Sequence, residues 1–227
     1  MGYNSHMNKK KITIIGAGIS GLYLGYLLKD TYDITILEAR NRVGGRIYSI
    51  SGNDMGPSWI WSHQKNVLKL IKELGLELFT QFTDGNSLYD TNWKEKGLSG
   101  FTFSQAGPLG EIHDASEGDK HALFGFVAAQ VGMQDFELKV KEQMIRLFDI
   151  NENDIKAIFL VDWREEQFSS SEQDKKPLSA HSEYGIDTSE YSEKVLFGAT
   201  EFSYDNGGYI EGAIALAQKI SEKLHNE

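Results

Sequence analysis

The chain has 227 residues, 40% hydrophobic and 25% charged, which suits one large or two small folded domains and excludes wholesale disorder. Its 23 Lys and Arg against 33 Asp and Glu leave a net charge of −10, which argues against a nucleic-acid surface. The absence of cysteine excludes disulfides, thiolate metal sites and any covalent group held through sulfur, and it fits a reducing, cytoplasmic setting.

The start, Met1 to Met7, reads as an expression remnant and is set aside. No signal peptide is expected, because the apolar run after Lys9-Lys10-Lys11 is short and broken by glycines. No apolar run approaches the roughly 20 residues that cross a bilayer. Ile12 to Ile15 is a short β-branched run ending at Gly16, the pattern of a buried parallel strand. Ile19, Leu22, Tyr23, Tyr26 and Leu27 then recur at helical spacing, and Asp33 to Leu37 is a second strand ending at Glu38. Strand, helix and strand in this order predict a βαβ unit. Asn66 is placed to cap a helix carrying Val67, Leu68, Leu70, Ile71 and Leu74, with Gly75 as its stop.

From Asp84 to Asp119 glycine, serine and aspartate punctuate short apolar pieces such as Gly100-Phe101-Thr102-Phe103, which predicts sheet and loop. Ala122 to Val131 and Ile158 to Trp163 are expected strands. Between them Phe136, Val140, Met144, Leu147 and Phe148 form one face of an amphipathic helix. Gln167 to Glu193 is polar and aperiodic, so a long loop is expected. Val195 to Phe197 returns to a strand pattern, and Ile210, Ala213, Ile214, Ala217, Ile220 and Leu224 trace a closing helix.

The junction Gly16-Ala17-Gly18-Ile19-Ser20-Gly21 follows the first strand and opens the first helix, the context that a dinucleotide fingerprint needs. Gly16 makes the turn, Gly18 lets backbone approach a pyrophosphate, and Gly21 lets helix pack on strand. Ser20 starts the helix, whose N–H groups and positive dipole end suit phosphate. Glu38 is placed to accept the ribose hydroxyls, and a carboxylate there disfavours a 2′-phosphate, which counts against NADP. Ala39 and Arg40 follow it. Gly44-Gly45-Arg46 lies just beyond, with two glycines that permit close backbone approach to a ligand.

The run Glu38 to Arg46, paired with Val195 to Glu201 and Gly207 to Ala213, resembles the signatures of the flavin-containing amine oxidases and their relatives. Asp54 to Trp61 is similar to the segment that this family lays beside the isoalloxazine ring, which implies flavin contacts from Trp59 and Ile60. The resemblance also covers Gln81 to Tyr89. It then jumps at Thr91 to Lys94, where Asn92 to Gly100 is similar to a stretch that lies far downstream in full-length members. It resumes in Ala122 to Phe126, Asp162-Trp163 and Phe197 to Ala213. A large central part of the family sequence, with most of its substrate domain, one strand of the flavin-domain sheet and contacts to the adenine side, has no counterpart.

The resemblance implies an α/β fold. A Rossmann-type FAD-binding domain is built from both chain ends, residues 8–90 and 189–227, with a reduced mixed-sheet remnant of the substrate domain at 91–188. It implies non-covalent FAD held by Gly16, Gly18, Ser20, Gly21, Glu38, Ala39, Arg40, Gly44, Gly45, Arg46, Trp59, Ile60, Glu201, Tyr209 and Ile210. Tyr209 matches one ring of the aromatic cage that receives the amine. Gln173 stands where the second ring belongs, and Glu172 where some members carry a flavin-linking cysteine. Thr83 stands at the spacing of the lysine that holds a water near flavin N5, and the Ala-Gly-Thr-Glu motif is permuted to Gly198-Ala199-Thr200-Glu201. Family chemistry passes hydride equivalents from a neutral amine to flavin N5, with hydrolysis of the imine and peroxide as the product of reoxidation. The alternative is a catalytically impaired or inactive flavin-binding chain, that is, a deletion product, a pseudoenzyme or a subunit that self-associates or needs a partner to cover the edge of its missing strand. A third reading, an NAD-binding module, is disfavoured by Gly44-Gly45-Arg46 and the C-terminal signature.

His63, His113, His121 and His181 show no metal spacing. Glu165-Glu166 and Glu152/Asp154 read as solvated charges, and Met133 and Met144 as packing residues.

Overall fold

The computed structural model describes residues 9–83, 88–90, 94–96, 101–128, 132–176, 183–188, 190–191 and 194–226. Asp84 to Ser87, Thr91, Asn92, Trp93, Gly97 to Gly100, Val131, His181 and Glu193, all named above, lie outside the described residues. The chain divides into two compact units. The first is Met1–Glu77, Asp162–Lys175 and Ala180–Glu227; the second is Leu78–Val161 and Lys176–Ser179. The division therefore falls at 77/78 and 161/162, where the sequence had put boundaries at 90 and 188. The segment Asp162–Lys175 goes with the first unit because Trp163 donates its indole N–H to the Met55 carbonyl at 2.9 Å and Glu166 pairs with Arg40.

In the first unit, β1 (Lys11–Ile15) and β2 (Asp33–Leu37) pair in parallel, Ile12 opposite Ile34 and Ile14 opposite Ile36. Helix α1 (Ile19–Leu28) connects them. Gly25 lets this helix approach the sheet, since a Cβ there would stand 3.0 Å from Ile36 Cδ1. A short hairpin of β3 (Ser49–Ile50) and β4 (Asn53–Asp54) turns through Ser51 and Gly52, both at positive φ. This is the backbone sense that closes a two-residue turn. Helix α2 (Lys65–Glu73) begins two residues earlier than expected, with Gln64 at its N-cap in place of Asn66, and Gly75 takes the left-handed φ of +66° after its end. The last helix, α4 (Ile210–His225), buries Ala213 and packs Ile214, Ala217 and Ile220 into one core with Leu24, Leu28 and Val67. Small residues at 213 and 217 keep helix faces close, and burial of this apolar stripe drives the packing.

The second unit carries a five-stranded mixed sheet in the order β6 (Lys94–Lys96), β5 (Leu88–Asp90), β7 (Phe101–Ser104), β8 (Leu109–Asp114), β9 (Leu123–Val127). Only β5 and β7 run in parallel. Helix α3 (Phe136–Phe148) lays Phe136, Val140 and Met144 on Leu109 and Ile112, as its period predicts. Buried Gln143 completes this core by pairing with both backbone groups of Leu109, accepting at 2.9 Å and donating at 2.8 Å. Such reciprocal pairing is what permits an amide inside apolar surroundings.

Two expected strands are not formed. Ile158 to Trp163 and Val195 to Phe197 carry no strand hydrogen bonding, and Phe159, Leu160 and Val195 are exposed. The apolar patterns are present, but a strand needs a hydrogen-bonded neighbour along its length, and β1 pairs with β2 alone among the described residues. No described helix is long and apolar enough to cross a membrane.

Candidate functional site

The glycine junction after β1 is built as its spacing requires. Gly16 sits at φ +99°, and its N–H donates to the Leu37 carbonyl at 2.7 Å, tying the turn to the end of β2. A Cβ on Gly21 would fall 2.2 Å from the Gly16 carbonyl oxygen, so helix and strand could not approach with any larger residue. At Gly18 the space in front of Cα is open, with nothing within 4 Å of a Cβ position. No side chain caps the first turn of α1 beyond it, so the helix start presents its backbone donors.

The Gly-Gly-Arg turn is laced onto this junction. Gly44 donates its N–H to the Ala17 carbonyl at 2.8 Å and forms a bridge with Gly18. Gly44 and Gly45 both have positive φ, and a Cβ on Gly45 would touch Gly18 Cα at 3.4 Å. Two segments separated by the whole of α1 and β2 thereby form one continuous, partly buried backbone surface. Arg46, at its edge, forms an ion pair with Glu201 at 2.7 Å, which brings the C-terminal signature to the same place.

Glu38 ends β2 with its side chain mostly covered. Its carboxylate accepts the Arg40 N–H at 2.9 Å and the Ala17 N–H at 2.7 Å. These two backbone bonds, Arg40 first, hold its pKa below the ordinary value. A carboxylate has about four acceptor sites, so a ribose hydroxyl can still be accepted. Ala39 is exposed beside it. Arg40 is committed elsewhere than expected: its guanidinium grips Glu166 through Nε at 3.1 Å and through a second, shorter contact, and donates to Ser169 at 2.8 Å. Arg40 is raised and Glu166 lowered from their ordinary pKa values, each chiefly by the other. Glu166 is thus an ion-pair partner and not a free solvated charge. Glu165 does reach a surface lysine, Lys175, at 3.3 Å.

Ser20 directs its hydroxyl to the Gly198 carbonyl. Its side chain therefore joins α1 to the C-terminal block, leaving its backbone as the part available to a ligand. The permuted motif puts Gly198 at this contact, where a Cβ would lie 3.3 Å from Ser20 Oγ, and leaves Ala199 exposed one residue later. Thr200 is buried and donates to the Tyr209 carbonyl at 2.9 Å.

Tyr209 is the N-cap residue of α4 and its ring is half exposed. It meets Trp61 edge to face, ring centroids 5.8 Å apart at 89°, and Trp61 stacks on His63. Trp59 is half-buried, while Ile60 and Ile210 lean their side chains on the core of the unit. Whatever Ile210 offers a ligand is its N–H, on a helix start that no side chain caps. Gln173 and Glu172 are exposed, the latter paired with Lys175 at 2.8 Å. Thr83 belongs to the second unit and is exposed. The roles of Gln64 and Glu211 were not legible in the sequence; an acid in the first turn of α4 by itself says helix start and nothing about a partner.

A glycine-lined turn between a strand and a helix, an acid just after β2 and a second uncapped helix start on the same unit make an α/β arrangement of the dinucleotide-binding kind. The profile of the family described as "Flavin containing amine oxidoreductase" matches residues 19–225, and the chain belongs to this family. Mouse amine oxidase [flavin-containing] B is 42% identical over 78 residues, 32% of this chain and 15% of that protein. Mouse L-amino-acid oxidase is 38% identical over 105 residues, 42% of this chain and 16% of that protein. These matches span only about a sixth of the relatives' length. A solved structure of wild-type putrescine oxidase bound to putrescine superposes with a TM-score of 0.78 at 12% identity, covering 96% of this chain and 99% of that one. At that identity the likeness is one of fold.

Proposed function

We propose that this chain binds FAD without a covalent link and belongs to an oxidoreductase acting on small neutral amines. The observation that carries the reading is the convergence of the Gly16–Gly18 junction, the Gly44–Arg46 turn and Glu201 in one unit, although they come from opposite ends of the sequence. The residues fit the group. The open space before Gly18 suits a pyrophosphate, Glu38 retains acceptor capacity for ribose, and two helix starts present backbone donors to negative charge. Gly16, Gly18, Ser20 and Gly21, with Gly44, Gly45 and Arg46, would hold the phosphates. Trp59, Ile60, Tyr209 and Ile210 would line the ring side. Bound FAD supplies a two-electron acceptor for the amine, with dioxygen as the final oxidant. The protein's share would be orientation and charge: the uncapped N–H groups at the start of α4 would favour negative charge on a bound ring system, and the half-exposed Tyr209 would offer a ring to the substrate.

The test is direct. Purified protein should show a flavin absorption band, and denaturation should release FAD. Anaerobic addition of a panel of amines should then bleach the band if the isolated chain turns over. Release of a nicotinamide dinucleotide, or of nothing after reconstitution with FAD, would overturn the reading.

A second reading has its own support. Ile15 ends β1 at 87% exposure and Leu37 ends β2 at 52%, beside a β1 edge that pairs with nothing further among the described residues. Unpaired edges and apolar ends are normally covered. We infer that the flavin-binding chain is completed by self-association or by a partner chain, and that turnover depends on it. Turnover by a monodisperse monomer would exclude this dependence.

A further inference from the structure

Helix α4 begins inside the candidate site, yet its first acidic side chain is directed at another helix. Glu211 is buried and accepts three hydrogen bonds at the start of α2: from the Asn66 N–H at 3.1 Å, from Asn66 Nδ2 at 2.9 Å and from the Val67 N–H at 2.9 Å. These are backbone donors left over by the helix itself, and a carboxylate also suits the positive end of the helix dipole. No local side chain caps α2; the cap comes from α4. Gln64, the N-cap residue, is buried as well, and it pairs reciprocally with Trp61. Its Oε1 accepts the Trp61 N–H at 3.1 Å, and its own N–H donates to the Trp61 carbonyl at 2.9 Å. Trp61 then meets Tyr209 edge to face, and Tyr209 precedes Glu211 by two residues.

The contacts form a closed circuit: Glu211, the start of α2, Gln64, Trp61, Tyr209 and back to Glu211. Burial does not hold the two rings, because Trp61 is 48% exposed and Tyr209 is 51% exposed. What sets their relation is the backbone at each end, and Glu211 is the group that ties one end to the other. A local cap on α2 would satisfy the same donors without coupling them to α4.

We propose that Glu211 is a positioning residue of the candidate flavin site, holding Trp61 against Tyr209 at the start of α4 through Asn66, Val67 and Gln64. The role at the flavin rests on the reading given above. Glu211→Gln is the informative change, because it keeps the size but turns one acceptor into an amide donor that faces an N–H.

Two measurements on the full chain decide the matter. In FAD-free protein, the emission belonging to Trp61 is isolated by subtracting that of Trp61→Phe, and its quenching by acrylamide is read with and without Glu211→Gln. The proposal expects quenching to increase. Asn66→Ala, which removes one donor and leaves two, should act in the same direction and serves if Glu211→Gln does not fold. Unchanged Trp61 quenching in a folded variant overturns the proposal whether or not FAD binds. The second measurement is a cycle on FAD affinity. Glu211→Gln should weaken binding about fivefold or more with Trp61 present and less than about twofold in Trp61→Phe, since residues acting as a unit are not additive. Equal losses in both backgrounds overturn the link to the flavin site. If the wild-type chain binds no FAD, the flavin reading fails on its own, and the quenching result alone supports or overturns the brace.

Discussion

Arg46 and Glu201 form an ion pair of 2.7 Å between the glycine-rich turn that follows β2 and the segment that leads into α4. Both side chains are substantially exposed, so the pair adds at most about 1 kcal/mol to stability. Its value is in register: it sets the C-terminal signature beside the Gly44–Gly45 backbone. Arg46→Ala should leave the melting temperature nearly unchanged and reduce flavin content after purification. The same loss of flavin with a large loss of melting temperature would show that Arg46 acts through the fold.

Gly18 and Gly21 should separate binding from folding. Space is open in front of Gly18, so Gly18→Val should retain the circular dichroism and melting of the wild type while losing dinucleotide. At Gly21 the Gly16 carbonyl stands 2.2 Å from a Cβ, so Gly21→Ala should cost upwards of about 2 kcal/mol. Denaturant melts of the two variants with flavin titrations check both halves. Unchanged flavin content in Gly18→Val sinks the phosphate assignment.

Stability should fall in acid through a defined set of carboxylates. Glu38, Glu166 and Asp162 are all held below their ordinary values, by backbone donors from Arg40 and Ala17, by the Arg40 guanidinium and by the Arg164 guanidinium respectively. Each binds its proton less readily folded than unfolded. Its contribution is therefore complete above the ordinary values of 4.5 for Glu and 3.8 for Asp, and is lost as pH falls through the lower folded values. Melting followed from pH 7 to pH 3 should be flat at first and decline below about pH 4.5, with a shallower decline in Glu166→Gln. A decline that begins near neutrality would point to other groups.

Flavin colour should leave the protein completely on acid precipitation. The chain has no cysteine, and Glu172, at the position of the linking residue in some relatives, is paired with Lys175. Colour remaining in the pellet would require a covalent bond of another kind.

Turnover of amines by the chain alone should be far below the roughly 1 to 10³ per second of ordinary enzymes. Gln173 offers no second ring to oppose Tyr209, and Thr83 replaces the lysine side chain at its spacing. Lost positioning of substrate and water costs several kcal/mol of barrier, at about 1.4 kcal/mol per tenfold in rate. Stopped-flow reduction with short aliphatic amines and benzylamine measures it directly. Fast reduction would mean that Trp61, His63 or a partner chain rebuilds the substrate site.

Helical elements were the most legible part of this chain. The apolar period of α2, α3 and α4 was read from sequence because one face of each is buried, and Gly75 marked the end of α2 through the φ that only glycine takes easily. The glycine junction and Glu38 were legible because their chemistry is local: a turn, a close approach and an acid at a strand end. Val195 to Phe197 and Ile158 to Trp163 were misread as strands, since a short apolar run reports that it fits a sheet and not that a neighbour exists to bond it.

Sequence by itself determined the glycine turn after β1, the acid that follows β2 and the helical faces, because each rests on residues within a turn or two of one another, and the family, because its motifs at the two chain ends are each a short local run. Only the tertiary structure decided that Arg40 is held by Glu166, that Ser20 reaches Gly198, and that Glu211 caps α2 while Trp61 rests on Tyr209. Those pairs join residues far apart in the chain. Charge and polarity make each partner suitable, but many others along the sequence are equally suitable; the packing of α4 on α2 brings Glu211 to its donors, and the seating of Asp162–Lys175 by Trp163 on Met55 brings Glu166 to Arg40.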